Sequence, residues 1–503
     1  MSQIRKQSIL SSVLVYIGFA LGLFNTYLFT RQGGFTPEQY GLTSIFIAIA
    51  SLMLSFSNLG MNAYIGKFYP YYKDNLDKKK SDMMAWASLI SLIGFCIVIV
   101  AGILLKDLVI RKFGGNSPYL VTYYHWIFIF GLGLSVYSLY EAYAWHLRKA
   151  VFTTYLREIQ FRIFTTVLIV LTTLGIIPSF DLFIKLYSFA YLSLAATLII
   201  YLISSKQLYF NFSISRVTRR FFKKILTLIS FVYGGSLVYM IASVFDTIVI
   251  SAVMKNGLAF AGVFALAQNI GSMIQAPQRG IIAAASPALS QAWKDKDLAK
   301  ISRIYHRSSI NQLIFAVGMF ALIWLNFADG IFTFKLQHQF LDAKWVFFFI
   351  GMMRIVDMGT GVNSQIIGSS TNWRFEFITG IILLCLTLPF NYILTKSMGV
   401  VGPALSNFVT FTIYNLMRYI FLLRKYKLQP FDAKTLYAIL LGIGCFYIIY
   451  FPFNNYHGFV WLVVRSVCFL ALYITGTLAL KISPDIIPVL HTVLKRTGFR
   501  KEA

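Results

Sequence analysis

The stretch Tyr40–Lys80 reads YGLTSIFIAIASLMLSFSNLGMNAYIGKFYPYYKDNLDKKK. It begins with an apolar run long enough to cross a bilayer and ends in a loop carrying Lys73, Lys78, Lys79 and Lys80. A transmembrane helix needs roughly twenty mostly apolar residues, because only a helix satisfies its own backbone groups across about 30 Å of hydrocarbon. Apolar runs separated by short polar loops repeat along the whole chain, and this decides the fold class: an all-α polytopic membrane protein.

Composition agrees. The 503 residues are 58% hydrophobic and 13% charged, with a mean hydropathy of +0.69, against about 25% charged in soluble proteins. No sizeable soluble domain fits. The net charge of +27 does not indicate nucleic acid, since the Lys and Arg residues cluster between apolar runs, where the positive-inside rule places them against lipid headgroups.

Fourteen spans are expected: Ser8 to Thr30, Tyr40 to Gly66, Met83 to Leu105, Tyr119 to Trp145, Tyr155 to Ile177, Leu182 to Ser204, Ile225 to Met254, Ala259 to Leu289, Ile304 to Asn326, Trp345 to Gly368, Phe375 to Leu394, Val401 to Leu423, Thr435 to Tyr450 and Gly458 to Leu480. With the N-terminus inside, one side collects Lys78 to Lys80, Arg148, Lys149, Arg216 to Lys224, Lys294 to Arg307 and Arg424 to Lys427, which puts both termini in the cytoplasm. Ser8 to Thr30 is too long for the apolar core of a signal peptide and reads as the first span. Cys96, Cys385, Cys445 and Cys468 all fall inside spans, with no CxxC spacing, and are expected to be buried apolar thiols.

The first twelve spans fall into two sets of six, each with a proline near the cytoplasmic end of its second helix (Pro70 and Pro287) followed by a basic loop. A parallel duplication of two six-helix bundles accounts for this and can enclose a cavity at the membrane midplane. The expected organisation is a lobe over 1–205, a second over 206–430, two further helices in 431–480 and a basic cytoplasmic tail, 481–503, whose stretch from Ile486 to Leu494 is apolar enough to lie on the membrane surface.

Polar residues inside the spans recur on helical faces. The second helix carries Ser44, Ser51, Ser55, Asn58 and Asn62; the eighth carries Gln268, Ser272, Gln275 and Arg279. Tyr239, Ser243 and Asp246 share a stripe on the seventh, and Arg354, Asp357, Gly361 and Gln365 on the tenth. The first carries Gly18, Gly22 and Asn25, the fourth Tyr137 and Glu141. A charge facing lipid costs about 2.5–3.5 kcal/mol even on lenient scales, so these faces are expected to point inward.

Blander readings stand beside these. Arg354 with Asp357 and Glu158 with Arg162 have the spacing of structural ion pairs on one helix. Lys67, Arg148 and Arg418, near helix ends, are expected to snorkel. The Gly18 and Gly22 spacing reads first as close helix packing. Arg279 has no acid within a helical turn and needs another partner, either the substrate or a salt bridge to Asp246 or Asp357.

Enzyme signals are absent, and a transporter without catalytic activity is expected. Gly60 to Lys67 resembles a phosphate loop only superficially, with five residues between the glycines and Phe68 in place of Ser or Thr. The six histidines show no paired ligand spacing, so no metal or cofactor is expected. Transport would draw on an ion gradient, the membrane potential or the substrate's own gradient.

Several short motifs then point to a family. Leu59-Gly60-Met61-Asn62-Ala63 leads to Lys67-Phe68-Tyr69-Pro70; Asp246 is followed by Gly262-Val263-Phe264-Ala265-Leu266-Ala267; Gly359-Thr360-Gly361-Val362-Asn363, Asn391 and Gly399-Val400-Val401-Gly402-Pro403 come later. In order and spacing, from Gln7 to Pro430, the chain resembles the polysaccharide and O-antigen flippase branch of the multidrug, oligosaccharidyl-lipid and polysaccharide exporter superfamily. The resemblance implies a V-shaped two-lobed fold, alternating access, and a polyprenyl-pyrophosphate sugar whose head crosses the cavity while its tail stays in lipid. It also implies a bacterial inner-membrane location, with polysaccharide polymerase or glycosyltransferases as candidate partners, in lipopolysaccharide or other surface polysaccharide synthesis.

Arg279 and Arg354 are the candidate diphosphate contacts, because guanidinium forks match phosphate oxygens. Gln268, Gln275, Asn25, Asn58, Asn62 and Tyr239 are candidate sugar contacts, and Asp246, Glu141 and Asp357 candidate sites for a coupling Na+ or H+. Two alternatives stay open. One is a cation-coupled multidrug exporter, which those carboxylates suit. The other is a lipid II flippase, disfavoured because the first helix lacks the run of arginines that the resemblance associates with that substrate. A membrane scaffold for sugar-polymer enzymes would leave the polar stripes unexplained.

Overall fold

The computed structural model describes residues 3–483 and residue 485. Its α-helices are, in order, α1 (Gln3–Thr30), α2 (Pro37–Asn58), α3 (Met61–Asn75), α4 (Met83–Leu104), α5 (Lys106–Phe113), α6 (Pro118–Thr122), α7 (Tyr124–His146), α8 (Ala150–Tyr155), α9 (Phe161–Thr173), α10 (Phe180–Tyr187), α11 (Ala190–Ser204), α12 (Arg216–Val253), α13 (Gly257–Lys294), α14 (Leu298–Thr333), α15 (Ala343–Gly359), α16 (Asn363–Ser369), α17 (Trp373–Met398), α18 (Val401–Tyr426), α19 (Ala433–Phe453) and α20 (Phe459–Ala479). A π-helical turn, Leu156–Gln160, joins α8 to α9.

Local chemistry sets several boundaries. Thr36 caps α2 in a reciprocal box with Gln39 and is followed by Pro37 in the first turn. Asp432 caps α19 in the same way with Thr435. The break between α2 and α3 sits at Leu59 and Gly60, with φ of 46° and 78°. Glycine suits that left-handed position, and a Cβ on Gly60 would also stand 3.1 Å from Ile229 Cγ2 of α12.

Every expected span falls on a helix or on a consecutive group of helical segments, although the count differs by length and composition. Among the described residues ten helices are long and apolar enough to cross a membrane, or eleven when the pair His338–Gly359 and Asn363–Ser369, bent by 48°, is taken as one. Part of the shortfall from fourteen has a physical cause: the span from Tyr155 to Ile177 carries Arg157, Glu158 and Arg162, and α18 carries Asn407, Thr410, Asn415 and Arg418. Within α12 the described residues contribute the apolar stretch Met240–Val253. In α9 and α18 these polar side chains are satisfied by neighbouring helices, so the segments need not be apolar all round.

By packing, the chain divides into two compact units, Met1–Ala265 and Leu266–Ala503. In the first, α2 packs on α4, α7 and α12, α7 on α11, and α1 on α8 and α9. Gly41 lets α2 meet the start of α13, since a Cβ there would collide with the Leu258 carbonyl; Gly262 approaches Pro37 O in return. In the second unit α14 and α18 pack on α15, α17 packs on α18, and both α19 and α20 lie on α14. Gly318 of α14 accepts the ring of Tyr473, whose hydroxyl donates to Ile314 O at 2.9 Å. Packing places α12 with the first unit, whereas the lobe boundary expected from the sequence falls at 205.

Of the thiols expected to be buried, Cys445 is buried and Cys468 half-buried, but Cys96 and Cys385 are exposed. An apolar span has a lipid-facing side, and a thiol is apolar enough to occupy it. The tail from Ile486 onward, including the apolar stretch to Leu494, lies outside the described residues. Its root is anchored: Asp485 accepts from Arg307 at 2.5 Å and from Asn311 at 2.8 Å, both on α14.

Candidate functional site

In the first unit Asn25, Asn58, Asn62 and Glu141 belong to two polar groups. Asn25 is buried in α1, where its Nδ2 donates to Arg162 O at 2.9 Å and its Oδ1 accepts from Thr166 at 2.6 Å, tying α1 to α9. Beside it Arg162 pairs with Glu158 and donates to the Glu158 carbonyl. Arg157, half-exposed, lies 3.5 Å from Glu141 and 3.6 Å from Glu158. Glu141 is only 7% exposed and also accepts from Tyr137, whose hydroxyl additionally reaches Thr153 O at 2.8 Å. Two acids and two guanidiniums thus form a charge-balanced cluster at the π-helical turn, the kind of backbone irregularity often found at functional positions.

Gly18 and Gly22 make the cluster possible. A Cβ on Gly18 would sit 2.7 Å from Arg162 Nη1, and one on Gly22 2.9 Å from Arg162 Nε. The small-residue spacing therefore seats an arginine side chain of α9 against α1, a more specific role than close backbone packing.

The second group joins α2, α3 and α7. Asn58 donates to Asn62 Oδ1 at 2.9 Å, and Asn62 donates to Ser138 at 3.0 Å. Asp246 on α12 is 5% exposed. Tyr239 lies on α12, but its side chain is outside the described residues.

In the second unit a network runs through four helices. Gln275 donates to Gln278 at 2.7 Å, and Gln278 to Asp357 at 2.9 Å. Asn415 of α18 donates to the other Asp357 oxygen at 3.5 Å, while its own oxygen accepts from Thr360 and Asn363, each at 3.0 Å. Asp357 is thus held by side-chain amides. Arg354, one turn earlier on α15, is half-buried. Along α13, which runs unbroken through Pro277 and Pro287, Gln268 and Arg279 are exposed and Gln275 is half-buried, so the stripe has an open face. Arg279 forms no ion pair with a described acid of its own unit.

A family model described as "Polysaccharide biosynthesis protein" matches residues 4–293. The chain belongs to the polysaccharide biosynthesis protein family. No curated protein sequence matches it. Among solved structures, a lipid II flippase MurJ in an inward closed conformation superposes with a TM-score of 0.70 at 18% identity, covering 93% of this chain and 98% of that one. An inward-facing multidrug resistance MATE transporter of the MOP superfamily gives 0.64 at 14% identity, over 80% and 93%. A MATE transporter in complex with MaL6 gives 0.57 at 14%, over 83% and 95%. At such identities the likeness is one of fold. Family and fold together make this a polytopic, all-α member of the polysaccharide biosynthesis protein family whose fold is like that of MurJ and the MATE transporters.

Within this family member, three motif glycines sit at left-handed turns: Gly60 between α2 and α3, Gly361 between α15 and α16, and Gly399 before α18. At Gly361 a Cβ would stand 2.8 Å from Ser308 Oγ and 2.9 Å from Ser309 N. These motifs shape helix breaks and close approaches.

Two buried ion pairs escaped the sequence reading. Arg418, expected to snorkel, is 5% exposed; it pairs with Glu376 of α17 and lies over the Tyr414 ring, 3.6 Å from its centroid. The reason is depth: Arg418 lies far enough inside α18 that an acid on the adjacent antiparallel helix satisfies it more readily than water. Asp329 of α14 pairs with Arg465 of α20, both under 10% exposed, and with His457 at 2.8 Å. Opposite charges at similar depth in neighbouring antiparallel spans were the available signal for the first pair. The second spans 136 residues of sequence and had none. Lys67 and Arg148 are exposed, compatible with snorkelling.

Proposed function

We propose that the protein flips a polyprenyl-pyrophosphate-linked oligosaccharide from the cytoplasmic to the outer leaflet of the bacterial inner membrane, with both termini cytoplasmic, by alternating access between lobes 1–205 and 206–430. The observation that carries this reading is Arg279: a guanidinium exposed within an apolar span and not neutralised by a described acid of its own unit. In a membrane such a charge needs water and an anionic partner, and a diphosphate suits its forked donors. Gln268 on the same open face, and Arg354 on α15, supply the remaining polarity. Family membership favours a sugar-linked substrate.

A multidrug exporter would use free carboxylates to bind cations. Glu141 is instead balanced by Arg157, and Asp357 is held by Gln278 and Asn415, which weakens that reading. Lipid II is favoured by the likeness to MurJ but not by α1, whose only basic residues are Arg5 and Lys6 near its start. The test is an Arg279 series assayed for surface polysaccharide in a deletion strain. Arg279→Ala and Arg279→Gln should abolish transport with the protein still in the membrane, while Arg279→Lys restores part of it as a point charge. Normal transport by Arg279→Ala would overturn the reading.

A further inference from the structure

At the N-terminal end of the first unit, α1 and α8 enclose a groove of about 410 Å³ lined by Leu10, Leu14, Arg148, Lys149, Val151, Phe152 and Tyr155. Its lining is of two kinds: adjacent cations from the turn between α7 and α8, and aliphatic and aromatic side chains of α1 and α8. The turn is fixed: Arg148 N donates to Trp145 O at 3.0 Å and Lys149 N to Ala144 O at 2.9 Å. The Lys149 ammonium lies 5.5 Å from the centroid of the Tyr201 ring, and Phe152 packs on the same ring at 4.3 Å, so aromatic packing holds the ammonium in place. Leu10 and Tyr155, 47% and 41% exposed, leave the apolar wall open. In the orientation proposed above, with both termini cytoplasmic, this end of the unit meets the cytoplasmic headgroup layer.

We propose that this groove binds an anionic glycerophospholipid of the cytoplasmic leaflet, with its phosphate between Arg148 and Lys149 and the start of one acyl chain along Leu10, Leu14, Phe152 and Tyr155. Charge complementarity selects the ligand class. Two adjacent cations on a fixed backbone turn attract a phosphate bearing net negative charge over a zwitterion, and basic pockets between helices on the cytoplasmic side take such headgroups. The apolar side chains that share the groove give an acyl chain attached to that phosphate a surface to cover. A bound lipid would wedge α1 against the α7–α8 turn, next to the cluster of Glu141, Arg157, Glu158 and Arg162. This site does not depend on the identity of the transported substrate.

The experiment is photo-crosslinking of the full-length protein in nanodiscs, using phosphatidylglycerol with a diazirine near the glycerol, and mapping the products by peptide mass spectrometry. The proposal predicts preferential labelling of the peptide containing residues 148–155, with phosphatidylethanolamine carrying the same probe giving a much lower yield. Each cation contributes about fivefold, so Arg148→Gln with Lys149→Gln should lower the phosphatidylglycerol yield about 25-fold. Val151→Trp, which narrows the groove and keeps both charges, should lower it as well. Equal yields from the two wild-type lipid probes overturn the proposal, as does an unchanged yield in either variant. Displacement of phosphatidylglycerol by equimolar undecaprenyl phosphate would overturn the assignment to a phospholipid and make the site a polyprenyl-phosphate one.

Discussion

Arg418 tests whether buried charge holds the second unit together. Its Nε donates to Glu376 Oε2 at 2.9 Å, and Glu376 Oε1 also accepts from Ser364 at 2.7 Å and Tyr414 at 3.3 Å. The side chains are 6% and 23% exposed. Removing one partner of a buried pair costs about 3–5 kcal/mol, mainly because the other charge is stranded. Arg418→Met strands the more exposed member, so about 3 kcal/mol is expected; Glu376→Leu strands the deeper guanidinium and should cost about 5 kcal/mol. The double variant replaces a charge pair by apolar side chains and should cost well under the sum, giving a coupling of about 3 kcal/mol or more. Equilibrium unfolding of the four proteins in detergent measures the cycle. Single-variant losses below about 0.5 kcal/mol with additive behaviour, as for exposed pairs, would refute the reasoning and return Arg418 to a snorkelling role.

Gly18→Leu and Gly22→Leu should each lower thermal stability in detergent by displacing Arg162, and Arg162→Ala in the same chain should restore much of the loss by vacating the space; no rescue would mean that the glycines serve backbone packing alone. Asp246→Asn is expected to remove the dependence of transport on a proton or sodium gradient, and unchanged dependence would leave that carboxylate without a coupling role; Glu141→Gln, which leaves Arg157 without one of its two acids, should instead lower thermal stability in detergent. Cysteines placed in the loops at Lys78, Arg219 and Lys296 should resist an impermeant thiol reagent applied to intact cells; efficient labelling at two of the three would contradict the proposed orientation.

Much of the fold was legible because the bilayer imposes one strong rule on sequence: long apolar runs, with their basic flanks on one side. The rule weakened where protein replaced lipid as the neighbour. Arg157, Glu158 and Arg162 in the fifth expected span, and Asn415 and Arg418 in the twelfth, find partners on other helices, so these segments need not look like lipid-facing spans. Polar stripes identified residues that share a helix face, but not which faces meet within a unit. Asn25, Asn62 and Glu141 were legible as inward-pointing, yet their partners Arg162, Ser138 and Arg157 depend on helix rotation, and Arg157 on a π-helical turn with no sequence signature. The apolar motifs carried the family resemblance because they mark backbone geometry at Gly60, Gly361 and Gly399.

The most direct test of the central claim is the fate of the lipid-linked sugar when the protein is removed. Deletion should leave polyprenyl-pyrophosphate oligosaccharide on the cytoplasmic leaflet of the inner membrane, inaccessible to a periplasmic probe, with surface polysaccharide lost and resistance to cationic dyes unchanged. Normal surface polysaccharide together with altered dye resistance would contradict the account and place the protein among drug exporters.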